Sequence, residues 1–192
     1  MTHSSLPWTY DPRPDTGTTS VRLGMWLFLA SEAMLFGGLF SGYVLLRAGS
    51  PAWPSGAGML SPWHAALATV LVAGASAALA AGPRRSPRMR LGVSALLALV
   101  FLVVKLAEYR AKIGAGLLPS TNLLLGCWYT LTGMHAVHVA AGGLAAGWLA
   151  GPGWRHTNGA PGRLQARLEA IRLYWYFVDL VWLGILAGFY LV

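Results

Sequence analysis

The chain has 192 residues, of which 56% are hydrophobic and only 10% are charged, and its mean hydropathy is +0.55. A soluble domain carries about 25% charged residues, so this composition excludes an ordinary soluble protein and predicts an all-α, polytopic membrane protein. The 14 Lys and Arg residues outnumber the 6 Asp and Glu residues, but they cluster in short connectors, so we attribute them to membrane topology and expect no nucleic-acid partner.

Five apolar stretches are each close to the roughly 20 residues that cross about 30 Å of hydrocarbon. In chain order they lie at about 21–46, 62–81, 91–111, 122–150 and 168–192. The connectors between them are short and rich in Pro and Gly, which break helices. The sequence therefore predicts a five-transmembrane-helix bundle over residues 21–192, preceded by a polar, Pro-rich tail over residues 1–20.

Basic residues are distributed unequally between the two sides of this predicted bundle. The side with the N-terminus and the second and fourth connectors carries Arg13, Arg22, Arg84, Arg85, Arg88, Arg90, Arg155, Arg163 and Arg167. The other side carries Arg47, Arg110 and Lys112. Because short cytoplasmic loops hold the excess of Lys and Arg, we predict a cytoplasmic N-terminal tail and a C-terminus outside, in a bacterial-type cytoplasmic (inner) membrane.

A carboxylate, Glu32, lies inside the first apolar stretch. It costs a few kcal/mol there even on lenient insertion scales, so it needs a partner or a function. At 1.5 Å per residue, Glu32, His138 and Asp179 fall at similar depths, roughly 15 to 18 Å from the cytoplasmic face, on three different helices. We predict a carboxyl–imidazole pair between Glu32 and His138. The alternative is that each is neutral and bonded to a backbone carbonyl or to the hydroxyl of Ser31 or Thr132.

A further hypothesis is that the histidines bind a metal ion or a haem. His135 and His138 stand three residues apart and therefore share one helix face. A haem held by two histidines needs ligands on two helices, and the other histidine within the spans, His64, is predicted near the outer end of the second span. We expect no metal site, no cofactor and no catalytic residue in this chain.

Two further charge pairs have the i, i+3 spacing that brings side chains together on a helix. Lys105 and Glu108 stand near the outer end of the third span, and Glu169 and Arg172 at the inner end of the fifth. An intrahelical ion pair is one prediction for each. Anchoring of the separate side chains at the membrane interface is the alternative.

Four segments carry a resemblance to a known family. They are residues 24–32 (GMWLFLASE), 105–109 (KLAEY), 129–139 (YTLTGMHAVHV) and 174–182 (YWYFVDLVW). In this order they resemble motifs of subunit III of haem-copper cytochrome c oxidases. The chain looks like the five-helix form of that family, which lacks the first two of the seven helices that are common in it.

The resemblance implies an accessory subunit without redox centres in a proton-pumping cytochrome c oxidase. Such a subunit packs beside catalytic subunit I, in a complex that also holds subunit II, and it binds phospholipid and supports proton uptake and stability during turnover. Haem and copper are expected in the partner subunits, so the chain is not an enzyme by itself. Glu32 resembles the buried carboxyl of the family and His138 its partner, and Glu108, Glu169 and Asp179 resemble its other acids.

The chain departs from the family pattern in two respects. Without the first two helices, the cleft that holds lipids in the family should be open or built partly by other subunits. Tyr176 stands where many members have histidine, and Arg172 where they have a small residue. These replacements put a lipid or proton role at that position in doubt.

Two alternative functions remain at this stage. The first is the homologous subunit of a quinol oxidase or a nitric oxide reductase, although the Glu at position 32 and the presence of both His135 and His138 favour cytochrome c oxidase. The second is an independent small transporter or proton channel. Against it, the sequence shows neither an internal repeat nor a pair of interrupted helices in matching halves.

Overall fold

The computed structural model describes residues 10, 12–14, 17–56, 58–81, 86–156 and 161–191. Most of the predicted tail lies outside the described residues. So do Arg84 and Arg85, two of the basic residues assigned to the second connector. Over the described ranges the protein forms six helices and no strand, which confirms the all-α prediction.

The helices are α1 (Ser20–Gly49), α2 (Pro62–Ala80), α3 (Pro87–Gly114), α4 (Leu123–Ala150), α5 (Pro152–Arg155) and α6 (Pro161–Tyr190). Side-chain caps explain where three of them begin. Thr19, Ser86 and Asn122 precede α1, α3 and α4, and each side chain accepts a hydrogen bond from a backbone N–H of the first turn. Such caps satisfy donors that the helix itself leaves free.

Two of the observed helices, α3 and α6, begin several residues before the predicted spans, at the basic side. α3 begins at Pro87 rather than near residue 91, and α6 begins at Pro161 rather than near 168 and ends at Tyr190 rather than at the last residue. Hydropathy marks only the part of a helix that lies in hydrocarbon, whereas the backbone hydrogen bonds continue into the basic first turns. The single-turn helix α5 was not predicted.

Four helices, α1, α2, α3 and α6, are long and apolar enough to cross a membrane, so the chain is an integral membrane protein. α4 has 28 residues but falls outside this set. The residues that lower its hydropathy include His135 and His138, and both are buried within the bundle. α4 also exposes large apolar side chains, among them Val137 and Leu144.

Contacts between helix ends give the direction of each helix. They join Tyr43 of α1 to Gly188 of α6, Trp128 of α4 to Tyr190 of α6, and Arg88 of α3 to Ala150 of α4. Helices α1, α3 and α6 therefore run in one direction and α4 in the other, as does α2, which Arg90 of α3 contacts at Leu79. We call the end where α1, α3 and α6 begin the proximal end and the opposite one the distal end.

α1 is the least embedded of the long helices. It buries only Leu29, Phe36 and Tyr43, which are seven residues apart and form one narrow stripe. The rest of its apolar surface is exposed, including Leu27, Met34 and Leu45. In a bilayer this surface is available to lipid or to another subunit.

Two glycine pairs of the sequence have different roles. A Cβ on Gly143 of α4 would lie 2.8 Å from the Cβ of Ala98 on α3, and a Cβ on Gly142 would lie 2.9 Å from the ring of Tyr174 on α6. At Gly37 and Gly38 of α1 a Cβ would meet nothing within 4 Å. The α4 pair therefore permits close helix approach, whereas the α1 pair borders open space.

We expect Gly143→Ala to destabilise the bundle by about 1 to 3 kcal/mol, because the added methyl group overpacks the α3–α4 contact. The free energy of unfolding, measured by reversible denaturation in mixed detergent micelles, checks this. Gly37→Ala is the matched control and should be neutral or stabilising, since alanine favours a helix by about 1 kcal/mol. Equal losses in the two variants would contradict the packing role of Gly143.

Candidate functional site: the buried charged groups

Glu32 of α1 and His138 of α4 are in contact. Nε2 of His138 lies 2.8 Å from Oε2 of Glu32, and Nδ1 of His138 lies 2.8 Å from the carbonyl oxygen of Met134. Because a carbonyl oxygen only accepts, Nδ1 must carry a proton. The contact to Glu32 then holds one more proton, either on Nε2, which gives an ion pair, or on the carboxyl, which gives a neutral pair.

The surroundings of this pair are mostly apolar. The ring of Phe36 stands edge-on to the imidazole with centroids 4.9 Å apart, and the hydroxyl of Tyr174 donates to the carbonyl oxygen of His138 over 2.8 Å. The side chains of His138 and Glu32 retain 11% and 19% of their accessible surface. The pair is thus largely shielded but not completely buried.

The hydroxyl groups that offered an alternative have other partners. Ser31 donates to the carbonyl of Phe28, and Thr132 donates to the carbonyl of Trp128. In this structure His138 contacts both Glu32 and the backbone carbonyl of Met134. Any proton-transfer role of the pair is a separate matter.

His135 and Asp179 are not part of this pair. His135 is fully buried, with Nε2 3.3 Å from the carbonyl oxygen of Val178 and its ring next to Trp182. Asp179 hydrogen-bonds Ser76 of α2. Similar depth in the membrane did not bring these side chains to Glu32, because they face other helices. Over the residues that the structure describes, no group of three His, Cys, Asp or Glu residues could hold a metal ion.

Lys105 and Glu108 form an ion pair inside α3. Nζ and Oε2 are 2.9 Å apart, and each side chain keeps only 2% of its accessible surface. Lys105 also lies 5.0 Å from the ring centroid of Trp128 on α4 and 5.3 Å from that of Trp182 on α6, within the range of cation–π attraction. The Lys105–Glu108 pair therefore lies in the interior of the helix bundle rather than on its surface.

Lys112 completes this group. Its Nζ is 3.9 Å from Oε1 of Glu108, donates to the carbonyl of Met59, and lies 4.9 Å from the ring centroid of Trp128. This role of Lys112 was not predicted from the sequence, although the spacing contains a signal for it. The buried stripe of α3 repeats at intervals of three and four residues and comprises Leu91, Ser94, Ala98, Phe101, Lys105, Glu108 and Lys112.

Glu169 and Arg172 are not brought together in the same way. Oε1 of Glu169 accepts a hydrogen bond from Gln165 over 3.2 Å, and within the described residues no ion pair joins Glu169 to Arg172. Both line a proximal cavity of about 240 Å³ that Arg22 and Tyr176 also border. The two side chains thus have separate contacts at the proximal end.

We expect Lys105→Met to destabilise the protein by about 3 to 5 kcal/mol, because it removes the nearest cation from a buried carboxylate. The double variant Lys105→Met/Glu108→Leu should recover most of this loss, since it removes both charges. The free energies of unfolding of the two single variants and the double variant test this. Arg110→Met, an exposed position on the same helix, is the control, and an equal loss there would contradict the explanation.

Comparisons with known proteins place this chain in a family. Residues 14–192 match the family described as Cytochrome c oxidase subunit III. Cytochrome bo(3) ubiquinol oxidase subunit 3 of Pseudomonas aeruginosa is 30% identical over 190 residues, which cover 95% of this chain and 90% of that protein. Cytochrome c oxidase subunit 3 of Synechocystis is 31% identical over 205 residues, covering 98% and 84%.

A third relative joins two subunits in one chain. The Heme-copper oxidase subunit I+III of Aeropyrum pernix is 30% identical over 187 residues, which cover 90% of this chain and 23% of that protein. The match of nearly the whole chain, together with these relatives, identifies it. The chain belongs to the cytochrome c oxidase subunit III family of the haem-copper oxidases.

Proposed function

We propose that this chain is the accessory subunit III of a proton-pumping cytochrome c oxidase. The observation that carries the proposal is the family match over residues 14–192. In this role the chain holds no redox centre and catalyses no reaction by itself. The haem and copper that reduce oxygen to water belong to the partner subunits.

The proposed topology has five membrane spans. α3 and α6 both have the length and composition of spans and run in the same direction, so the chain must cross back between them. Between Gly114 and Pro161, α4 is the described helix that is long enough to do so. The basic residues at the proximal end support a cytoplasmic N-terminus and an external C-terminus, in a bacterial-type inner membrane.

Subunits I and II and membrane lipid are the proposed partners. A relative in which subunits I and III are fused supports a position directly beside subunit I. The exposed apolar face of α1 supports contact with lipid or with another subunit. Nucleic acid has no place in this function.

Glu32 and His138 are the residues that we propose support proton uptake and endurance during turnover. The proton of this contact can sit on Oε2 of Glu32 or on Nε2 of His138 without any change in the heavy-atom contacts, whereas its release leaves two acceptors facing each other and loosens the contact. Because both side chains retain some accessible surface, the site can exchange this proton with its surroundings. Loss of either side chain would leave the other without a partner in a largely apolar setting.

Quinol oxidase is the second candidate. The bo(3) ubiquinol oxidase subunit of Pseudomonas aeruginosa and the cytochrome c oxidase subunit of Thermostichus vulcanus are both 30% identical to this chain. Sequence similarity therefore favours neither electron donor. The electron donor must therefore be tested on the purified complex.

The tagged chain, expressed in its native host and purified in mild detergent, should bring down haem proteins. A reduced-minus-oxidised spectrum should show a-type haem bands, and the preparation should consume oxygen with reduced cytochrome c. Consumption with a quinol alone would select the second candidate. A colourless, inactive preparation, obtained while a control shows that the oxidase survives the detergent, would contradict both.

In the same complex, Glu32→Gln should keep the initial rate of oxygen consumption but lose activity after severalfold fewer turnovers. Ser31→Ala is the matched control, because Ser31 is exposed and bonds only its own helix. An endurance of the Gln variant equal to that of the control would remove Glu32 from the proposed role.

Reporter fusions test the topology. Alkaline phosphatase joined after Val192 should be active, since that enzyme folds outside the cytoplasm, and a fluorescent protein that folds only in the cytoplasm should be dark there. Both reporters should give the opposite result when they are joined after Arg155, in the connector between α4 and α6. Identical results at the two positions would contradict a membrane-crossing helix between them.

A further inference from the structure

The only two lysines of the chain lie at the same buried carboxylate. Lys105 and Lys112 flank Glu108 on α3, whereas all the other basic residues among the 14 Lys and Arg are arginines. The two residue types differ in their chemistry, because an arginine keeps its proton in proteins and a lysine can release one. The chain therefore places both of its releasable ammonium protons at one site.

The charges of this site do not balance within the described residues. Two ammonium groups face the single carboxylate of Glu108, so the group has one positive charge in excess. The other titratable groups around it are His64 of α2, which lines the same cavity as Glu108, and three tyrosines that feel the charge of Glu108, namely Tyr109 of α3, Tyr129 of α4 and Tyr190 of α6. Tyrosine is neutral below about pH 10, so none of these groups supplies a second negative charge. Release of one proton would make the group neutral.

The surroundings of the two lysines differ. Nζ of Lys105 is 2.9 Å from Oε2 of Glu108 and lies 5.0 Å and 5.3 Å from the ring centroids of Trp128 and Trp182. Nζ of Lys112 is 3.9 Å from Oε1 of Glu108 and has one such ring, that of Trp128, at 4.9 Å. A direct ion pair and aromatic faces both favour the charged form of an amine. The releasable proton is therefore on Lys112 rather than on Lys105.

A cavity of about 470 Å³ reaches Lys112 and Glu108 at the distal end. It lies among the α1–α2 connector, the first turn of α2 and the last turns of α3. The exposed residues Ala111 and Ala115 border it, so it opens to the surface. A water molecule takes about 30 Å³ in the liquid, so the cavity has room for several.

Polar atoms of the residues that line this cavity lack partners. Oε1 of Glu108 and Nδ1 of His64 are buried, and neither has a hydrogen-bond partner among the described residues. Nζ of Lys112 donates to the carbonyl of Met59 and has two further N–H groups. The gap of 3.9 Å between Nζ of Lys112 and Oε1 of Glu108 is too long for a direct hydrogen bond and suits a bridging water.

We propose that this cavity is a water-filled inlet through which Lys112 exchanges a proton with the aqueous phase at the distal end. The ammonium group of Lys112 passes one proton to a water molecule, and its nitrogen keeps the electron pair of the broken N–H bond. The ion pair of Lys105 with Glu108 stays intact. In the proposed topology the distal end faces outside, so this site is separate from the pair of Glu32 and His138.

The titration is tested by nuclear magnetic resonance on the purified full-length chain, labelled selectively with ¹⁵N-lysine. Because the chain has two lysines, the spectrum should show two Nζ signals, and Lys112→Arg removes one of them and so assigns both. As the pH is raised, the signal of Lys112 should move from the ammonium to the amine position while that of Lys105 stays constant. If neither signal moves before the protein unfolds, or if both move together, the inference is wrong.

The inlet is tested in the same samples by transfer of magnetisation from water to the lysine nitrogens. The signal of Lys112 should build up severalfold faster than that of Lys105. Arg110→Lys adds a third lysine at an exposed position on the same helix, and its signal is the reference for full contact with water. Equally slow transfer to both native lysines would show that the cavity is dry and would overturn the proposal.

His64 is the control for an indirect effect, because it lines the same cavity and titrates by itself. In His64→Gln the movement of the Lys112 signal with pH should persist. Its disappearance would mean that Lys112 only reports the protonation of His64, which contradicts the inference. All these measurements use the chain without partner subunits, so their failure leaves the proposed function intact, and failure of the haem co-purification leaves this site intact.

Discussion

A charged side chain in hydrocarbon has no water to solvate it, so it must be satisfied inside the protein. This chain meets that requirement in two ways. Glu32 reaches across from α1 to His138 of α4, and Glu108 is paired within α3 by Lys105. The first contact joins two helices, whereas the second is held in an aromatic setting by Trp128 and contributes a fixed, polar centre to the bundle.

The attachment of α1 depends on this requirement. Its buried stripe is narrow, so the contact of Glu32 with His138 and the hydrogen bond of Tyr43 to Gly188 are major constraints on its position. The open space beside Gly38 and Gly42 follows from that sparse packing. A helix held at a few points and otherwise facing outward is suited to contact lipid and partner subunits, in keeping with the proposed role as an accessory subunit.

Glycine illustrates how one residue type serves two purposes in a membrane bundle. Gly142 and Gly143 let α4 approach its neighbours closely, while Gly38 and Gly42 leave a cleft. Both sets sit in helices of apolar composition, and in the sequence they look alike. The difference arises from what faces them, which is a side chain of α3 or α6 in one case and open membrane space in the other.

The sequence by itself determined the all-α class, the approximate position of the long helices and the family, because apolar runs of membrane length and four ordered motifs are local properties of the chain. It also pointed to Glu32 and His138, since a carboxyl and an imidazole at similar depth can satisfy each other. Asp179 was placed at the same depth, and only the tertiary structure shows that it contacts Ser76 instead. Only the tertiary structure distinguished Lys105 and Glu108 from Glu169 and Arg172. Both pairs have the same spacing, but the first lies on the buried stripe of α3, where water is excluded, and the second lies where other partners compete. Spacing brings two charges within reach, and it is the surroundings supplied by other helices that decide whether they pair.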